Sequence, residues 1–149
     1  MNVLKKIIFA WYLCVFVVHA SSAQKDSTFR FIKIIPGSYS YFTTDNLDNF
    51  YLLNTDNQLK KANINGDSAG VFNDVRRYGE LFSIDASNPL KLLLYYKNFS
   101  TIIELDRFLN VLNTIDLRSQ GIFNVNAVAT SYDNNIWLFD EGESKLKKN

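Results

Sequence analysis

The sequence predicts an all-β protein of antiparallel strands, and three features of the chain lead to that prediction. Short apolar and aromatic runs recur along the chain, turn-forming residues separate them, and similar segments return at a regular spacing. The best helical pattern, Leu105 to Leu112, lasts barely two turns between β-rich segments, so we interpret it as strand and turn. With 149 residues, 47% of them hydrophobic, the chain has enough apolar material for one domain.

The strands are predicted from the apolar runs and the turns from the residues between them. The predicted strands are Phe29–Ile35, Ser38–Thr43, Phe50–Asn54, Gln58–Asn63, Leu81–Asp85, Lys91–Tyr96, Thr101–Asp106, Val111–Leu117, Val125–Ser131, Ile136–Asp140 and Lys145–Lys148. Asn, Asp and Gly dominate the connections, because Gly and Asn tolerate positive φ and Asx side chains cap their own turns.

Similar strand pairs recur along the chain. Residues 48–54 (DNFYLLN) match residues 134–140 (NNIWLFD) at an offset of 86, and the Leu-Lys-Lys at 59–61 matches that at 146–148 at an offset of 87. A weaker copy lies halfway, where residues 92–95 and 102–106 correspond to 50–53 and 59–63. The alternative is that such pairs arise by chance in an Asn- and Leu-rich β protein.

A period of about 43 residues with several strands per unit is typical of a β-propeller, in which ~40–50 residues form one four-stranded blade. The runs FYLL, KLLLYY and IWLF are apolar throughout, as expected of strands that are covered on both faces. We therefore predict antiparallel blades in units near 45–88, 89–131 and 132–149, the last incomplete. Closed propellers typically have 4–8 blades. We thus expect a partial propeller of about three blades, either a fragment of a longer protein, which we prefer, or an open stack that self-associates through its edges.

The N-terminus predicts a signal peptide over residues 1–23, followed by the repeat domain over 24–149. Lys5 and Lys6 precede an apolar run of about 14 residues, which is too short to span a bilayer. Small residues place cleavage after Ala23, or after Ala20 as second choice. The alternative is an uncleaved N-terminal anchor. The expected location is the periplasm, the outer envelope or the exterior, with no membrane span after cleavage.

Removal of this segment would also remove Cys14 and His19, the only cysteine and histidine of the chain. Nucleophilic systems that need Ser with His or Cys with His, and zinc sites of His and Cys, are then excluded. The charge is close to neutral and the small basic clusters are interleaved with acids, so no nucleic-acid partner is expected. We expect no cofactor and no metal.

Three groups of residues were considered as candidate sites, and each has a structural interpretation that we prefer. The acidic turns 45–49 and 133–135 offer oxygen ligands to calcium, but turn formation explains them as well. Glu104 and Asp106 share a strand face as a carboxylate pair, with Lys97 and Arg107 as charge partners, or form a solvated strand edge. Aromatic residues suit either a sugar- or peptide-binding platform or core packing: Tyr39, Tyr41, Tyr51, Tyr95, Tyr96 and Trp137. The sequence therefore assigns no catalytic, cofactor, metal or binding residue.

The pattern [DN]-N-[FI]-[YW]-L-[LF]-[ND] followed by L-K-K resembles secreted bacterial propeller-like proteins of uncharacterised role, akin to the NHL and two-component-regulator propeller repeats. The resemblance covers roughly residues 29–149. It implies the fold and no functional residue; such families include ligand-facing domains of sensors, adhesion and envelope-assembly factors, and lyases. We expect an exported, non-enzymatic module that binds a protein or a glycan in the cell envelope. The alternatives are a hydrolase or lyase that relies on carboxylates and tyrosines, and a truncated product without independent activity.

Overall fold

The computed structural model describes residues 31–149. Contacts divide the chain into two units, Met1–Ile34 and Ile35–Asn149, and every strand described below lies in the second. The predicted signal peptide lies outside the described residues, as do the first two residues of the predicted strand Phe29–Ile35. Residues 31–35 form no strand, so that prediction is wrong there. An apolar run becomes a strand only where it finds a partner, and Pro36, which follows it, has no N–H to donate to a ladder.

Among the described residues, eleven strands form three antiparallel sheets, and the strands of each sheet pair in sequence order. The first sheet contains β1 (Tyr39–Thr44), β2 (Phe50–Asn54), β3 (Leu59–Ala62) and β4 (Ser68–Phe72); the second contains β5 (Ser83–Asp85), β6 (Lys91–Tyr96), β7 (Thr101–Asp106) and β8 (Val111–Asp116); the third contains β9 (Val125–Thr130), β10 (Ile136–Asp140) and β11 (Lys145–Lys148). One short helix, α1 (Val75–Tyr78), precedes β5, and 3-10 turns lie at Lys97–Phe99 and Leu117–Gln120. The all-β prediction is confirmed. Among residues 31–149, no helix is long and apolar enough to cross a membrane.

The second sheet is covered on both faces, because successive side chains of a strand point to opposite sides. Leu92 and Leu94 of β6 join a buried cluster that includes Tyr51 and Leu53 of the first sheet. Leu93, between them, joins a second cluster that includes residues of the third sheet. The sheets therefore stack face to face, as blades do. The run KLLLYY is apolar throughout because both faces of its strand are covered, as the sequence predicted.

The matched segments of the sequence form the second and third strands of each sheet: β2–β3, β6–β7 and β10–β11. The predicted unit starts at 45, 89 and 132 fall in the turn that leads into the second strand of a sheet. Each predicted unit therefore starts one strand later than the sheet does, because β1, β5 and β9 lie before that turn and pair with the strand that follows it.

One turn design recurs in the hairpins: the fourth residue has positive φ, and its N–H donates to the carbonyl of the first. Asn57, for example, has φ 58° and donates to Asn54 over 3.0 Å. The same arrangement, with the same hydrogen bond, places Ser100, Leu109, Asn134, Ser144 and Gly66 at positive φ in other turns. Asp48, in the β1–β2 turn, also has positive φ. A turn followed by one residue in the left-handed region is a common connection in β-hairpins. It favours residues that tolerate this backbone, which explains the many Asn and Asp residues between strands.

Candidate binding cleft

The first and second sheets separate at one end and leave an open cleft of about 370 Å³. Strands β1, β2 and β5 and the segment that leads into β5 supply its walls. The lining residues are Ser40, Tyr41, Leu53, Thr55, Asn57, Glu80, Leu81, Phe82, Ser83 and Ile84.

Two aromatic rings at the cleft are half-exposed. Tyr41 lies opposite Leu53 in the β1–β2 ladder, on the face that looks toward the second sheet, and is 47% exposed. Phe82 is 49% exposed, and its backbone N–H donates to the carbonyl of Tyr95 over 2.9 Å. The rings of Phe82 and Tyr95 are nearly perpendicular, with 5.9 Å between their centroids, and the ammonium of Lys97 lies 4.8 Å from the centroid of the Phe82 ring. Tyr95 and Lys97 therefore hold the half-exposed ring of Phe82 in place beside the cleft.

Polar groups alternate with these rings. Ser83 is opposite Tyr95 in the β5–β6 ladder, so its buried and unpartnered hydroxyl lies on the face of β5 toward the third sheet and not in the cleft. Ser40 donates to the carbonyls of Leu53 and Asn54, each over 3.3 Å. Asn57 stands at the positive-φ position of the β2–β3 turn, and Glu80 is exposed at the rim. Aromatic faces beside hydroxyl, amide and carboxylate groups suit a ligand with both apolar C–H faces and hydroxyls.

The calcium interpretation of the turn at 45–49 does not fit the geometry, because Asp45 uses its oxygens inside the turn. Its Oδ1 accepts from the N–H groups of Leu47 and Asn49, and its Oδ2 accepts from the Asn49 amide and the Tyr51 hydroxyl, at 2.8 to 3.0 Å. Burial raises the pKa of Asp45, but these hydrogen bonds outweigh it and hold that pKa below its ordinary value. The carboxylate is a structural cap.

The second acidic turn, 133–135, is tied to the third sheet. Asp133 accepts a hydrogen bond from the Lys148 ammonium over 2.6 Å, and this contact, the largest cause, lowers the pKa of Asp133. Between residues 31 and 149, no group of three or more His, Cys, Asp and Glu side chains is placed to hold a metal ion.

Glu104 and Asp106 do not act together. Glu104 forms an ion pair with Lys91 at 2.8 Å, with side chains 13% and 17% exposed respectively. Asp106 caps the β7–β8 turn, and its Oδ1 accepts from the N–H groups of Phe108 and Asn110 over 2.8 Å each. The expectation of a solvated strand edge is also wrong, because β7 pairs with a strand on either side. The expected partner Lys97 instead donates to Asn126 over 2.8 Å; Arg107 contributes a small part of the lowered pKa of Asp106.

The predicted aromatic platform is divided among several places. Tyr51, Tyr95 and Tyr96 are buried in the core, as the packing interpretation expected. The Tyr39 hydroxyl donates to the Pro36 carbonyl over 2.9 Å. Tyr41 alone of the six reaches the cleft, and Trp137 lies on the third sheet. Phe82 lines the cleft but was not predicted to do so. It lies within the predicted strand Leu81–Asp85, and nothing in that run indicates that the strand begins only at Ser83.

No protein-family model matches the chain, and no curated protein matches it. Among solved structures, 19 chains match. One of them, titled "Streptogramin B lyase structure", is a β-propeller that aligns with a TM-score of 0.53 and 13% identity over 72% of this chain. The chain spans 38% of the length of that structure. At this identity the likeness shows the fold alone: the stacked sheets are a partial β-propeller.

Proposed function

We propose that this chain is an exported, non-enzymatic propeller module that binds a glycan of the cell envelope, or a protein there, through the cleft between its first two sheets. The observation that carries the proposal is that Tyr41 and Phe82, whose rings are half-exposed, line one cleft together with the polar side chains of Asn57 and Glu80. Export rests on the basic and apolar pattern of residues 1–23.

A glycan is favoured over a peptide by the composition of the cleft. The C–H face of a sugar ring packs on an aromatic ring, while its hydroxyls both donate and accept hydrogen bonds. The Asn57 amide can do both, and the carboxylate of Glu80 accepts.

The test is ligand-observed NMR with the full chain and two sets of probes: soluble oligosaccharides from peptidoglycan and lipopolysaccharide, and unstructured peptides of mixed composition. We expect an oligosaccharide to bind and the peptides not to. Phe82→Ala and Tyr41→Ala should each weaken binding at least about tenfold, because hot-spot aromatics carry most of the energy of such contacts. Phe108→Ala, at a 62% exposed ring of the β7–β8 turn, is the matched control and should bind normally.

Two results would count against the proposal. If no oligosaccharide binds, a glycan ligand is excluded. If a peptide binds and its binding depends on Phe82, the ligand is a protein. Turnover of a probe, detected by mass spectrometry and lost in Glu80→Gln, would instead favour the hydrolase or lyase. Export is tested separately, by N-terminal sequencing of the secreted chain: a start at Gln24 or Ser21 is expected, and retention of Met1 would contradict cleavage.

A further inference from the structure

The outer face of the third sheet is an apolar surface with no cover among the described residues. Trp137 and Phe139 of β10 point to this face, opposite in the ladders to Ala129 and Ala127 of β9 and to Lys148 and Leu146 of β11. Trp137 is 40% exposed and Leu146 is 70% exposed. We call this surface the forward face of the third sheet.

The two preceding sheets show what covers such a face. In the matched runs, Tyr51 and Leu53 of the first sheet correspond to Leu93 and Tyr95 of the second and to Trp137 and Phe139 of the third. The first two pairs are buried, each against the first and third positions of the next run: Tyr51 and Leu53 cluster with Leu92 and Leu94, and Leu93 and Tyr95 cluster with Ile136 and Leu138. Each forward face is thus covered by the backward face of the next sheet in the series.

Among the three described sheets, one backward face has no sheet packed against it, that of the first sheet, on which Phe50 and Leu52 lie. Phe42, Leu52, Lys60 and Val71 lie in one row across that face, since each is opposite the next in the ladders. Phe42 and Val71 are 65% and 59% exposed. Leu52, which lies between them in this row, is 6% exposed, so the exposed apolar side chains of this face lie on its outer strands β1 and β4. Both ends of the described stack therefore present exposed apolar side chains.

We propose that the forward face of the third sheet binds the backward face of the first sheet of a second copy of this chain. The contact is head-to-tail and continues the internal stacking. Two chains related by a two-fold axis would form it twice and close a ring of six sheets, within the 4–8 blades typical of closed propellers.

The experiment measures mass by light scattering on the full chain at rising concentration. We expect twice the mass of one chain. Trp137→Glu and Phe42→Glu should each raise the dissociation constant more than about tenfold, because each buries a charge at the contact. Phe108→Glu, at a ring 62% exposed on the β7–β8 turn, is the control and should dimerise normally.

Mixing the two defective variants tests the geometry. In a head-to-tail ring, the mixed dimer has both substitutions at one contact and none at the other, so part of the association should return. A dimer that Phe42→Glu leaves intact would mean that third sheets pair with each other, and would overturn the proposal.

Tryptophan fluorescence tests the proposal without a substitution at the contact, so its result does not depend on whether the contact variants fold. In the full chain carrying Trp11→Phe, Trp137 is the single tryptophan. Acrylamide should quench its fluorescence less as the concentration of protein rises. A single-chain mass at all concentrations, with constant quenching, would likewise overturn the proposal, whether the face is free or taken by another molecule.

Discussion

The hydroxyl of Tyr51 donates a hydrogen bond to Oδ2 of Asp45 over 3.0 Å, and this contact joins a core strand to the turn before it. Tyr51 is 1% exposed, so its hydroxyl needs a partner within the protein. Burial, together with the negative charge of Asp45, raises the pKa of Tyr51 far above its usual value. The tyrosine is therefore protonated and donates at neutral pH.

We expect Tyr51→Phe to lower the free energy of unfolding by about 1.5–3 kcal/mol, because a hydrogen bond to a charged group is lost within the protein. Urea denaturation at pH 7 measures it. Tyr41→Phe removes a hydroxyl from a half-exposed ring and should change stability by less than about 0.5 kcal/mol. Equal effects of the two substitutions would show that the Asp45 contact adds nothing.

A second carboxylate links two sheets, and it predicts a pH dependence. Asp85 of β5 accepts from the N–H of Thr130 in β9 and from the N–H of Ser87. Burial raises the pKa of Asp85, but these hydrogen bonds outweigh it, so the pKa lies below its ordinary value. The contribution of Asp85 to stability is then present above the unfolded-state pKa, near 4, and is lost as pH falls through the lower folded-state value.

Unfolding by urea at a series of pH values between about 6 and 2 checks this prediction. The free energy of unfolding should fall as the solution becomes more acid, and it should fall less steeply in Asp85→Asn. The substitution should also cost stability at pH 7, because an amide accepts less strongly than a carboxylate. Identical slopes for both proteins would contradict the assignment.

Much of the fold was predictable because its signals are local. Phe50–Asn54, Lys91–Tyr96 and Ile136–Asp140 are observed as predicted, since an unbroken apolar run ended by a turn former has few alternatives. The face-to-face stacking also followed from those runs. The strand β4 was missed because Ser68, Ala69 and Gly70 have little β propensity.

The glycine at position 70 is explained by a contact with another sheet, which a single sequence does not reveal. A Cβ there would lie 3.4 Å from Leu109 Cδ1, so the small residue admits the side chain of a different sheet's turn. The cleft was not predictable for a similar reason: Tyr41 and Phe82 lie 41 positions apart and meet only because two sheets separate at one end. Helix α1, four residues long, carries too short a pattern to detect.

The recurring hairpin turn predicts a substitution that stabilises the protein. Ser144 is exposed and has φ 55°, a conformation that costs an L-residue about 1–2 kcal/mol. Glycine removes that cost, but it also gives the unfolded chain more conformational freedom, which reduces the gain in stability by about 0.4–1 kcal/mol. We expect Ser144→Gly to raise the free energy of unfolding by about 0.5–1 kcal/mol, measured by urea denaturation. Ser87→Gly, at an exposed serine without positive φ, should lower it; a gain in both variants would rule out the backbone explanation.

Three stacked sheets and a two-layer sandwich differ in whether both faces of the second sheet are buried, and substitutions in β6 can distinguish them. Leu93 and Leu94 are adjacent in β6 and both 0% exposed, but they belong to different clusters, one on each side of the second sheet. Truncation of a buried leucine leaves a cavity and costs about 2–5 kcal/mol. In a sandwich, one of two neighbours in a strand would face solvent and would cost far less. We expect Leu93→Ala and Leu94→Ala each to lower the free energy of unfolding by that amount in urea, while Leu112→Ala, at a 58% exposed leucine of β8, changes it by less than about 1 kcal/mol. A small loss at either Leu93 or Leu94 would mean that one face of the second sheet is open and that the sheets do not stack as blades.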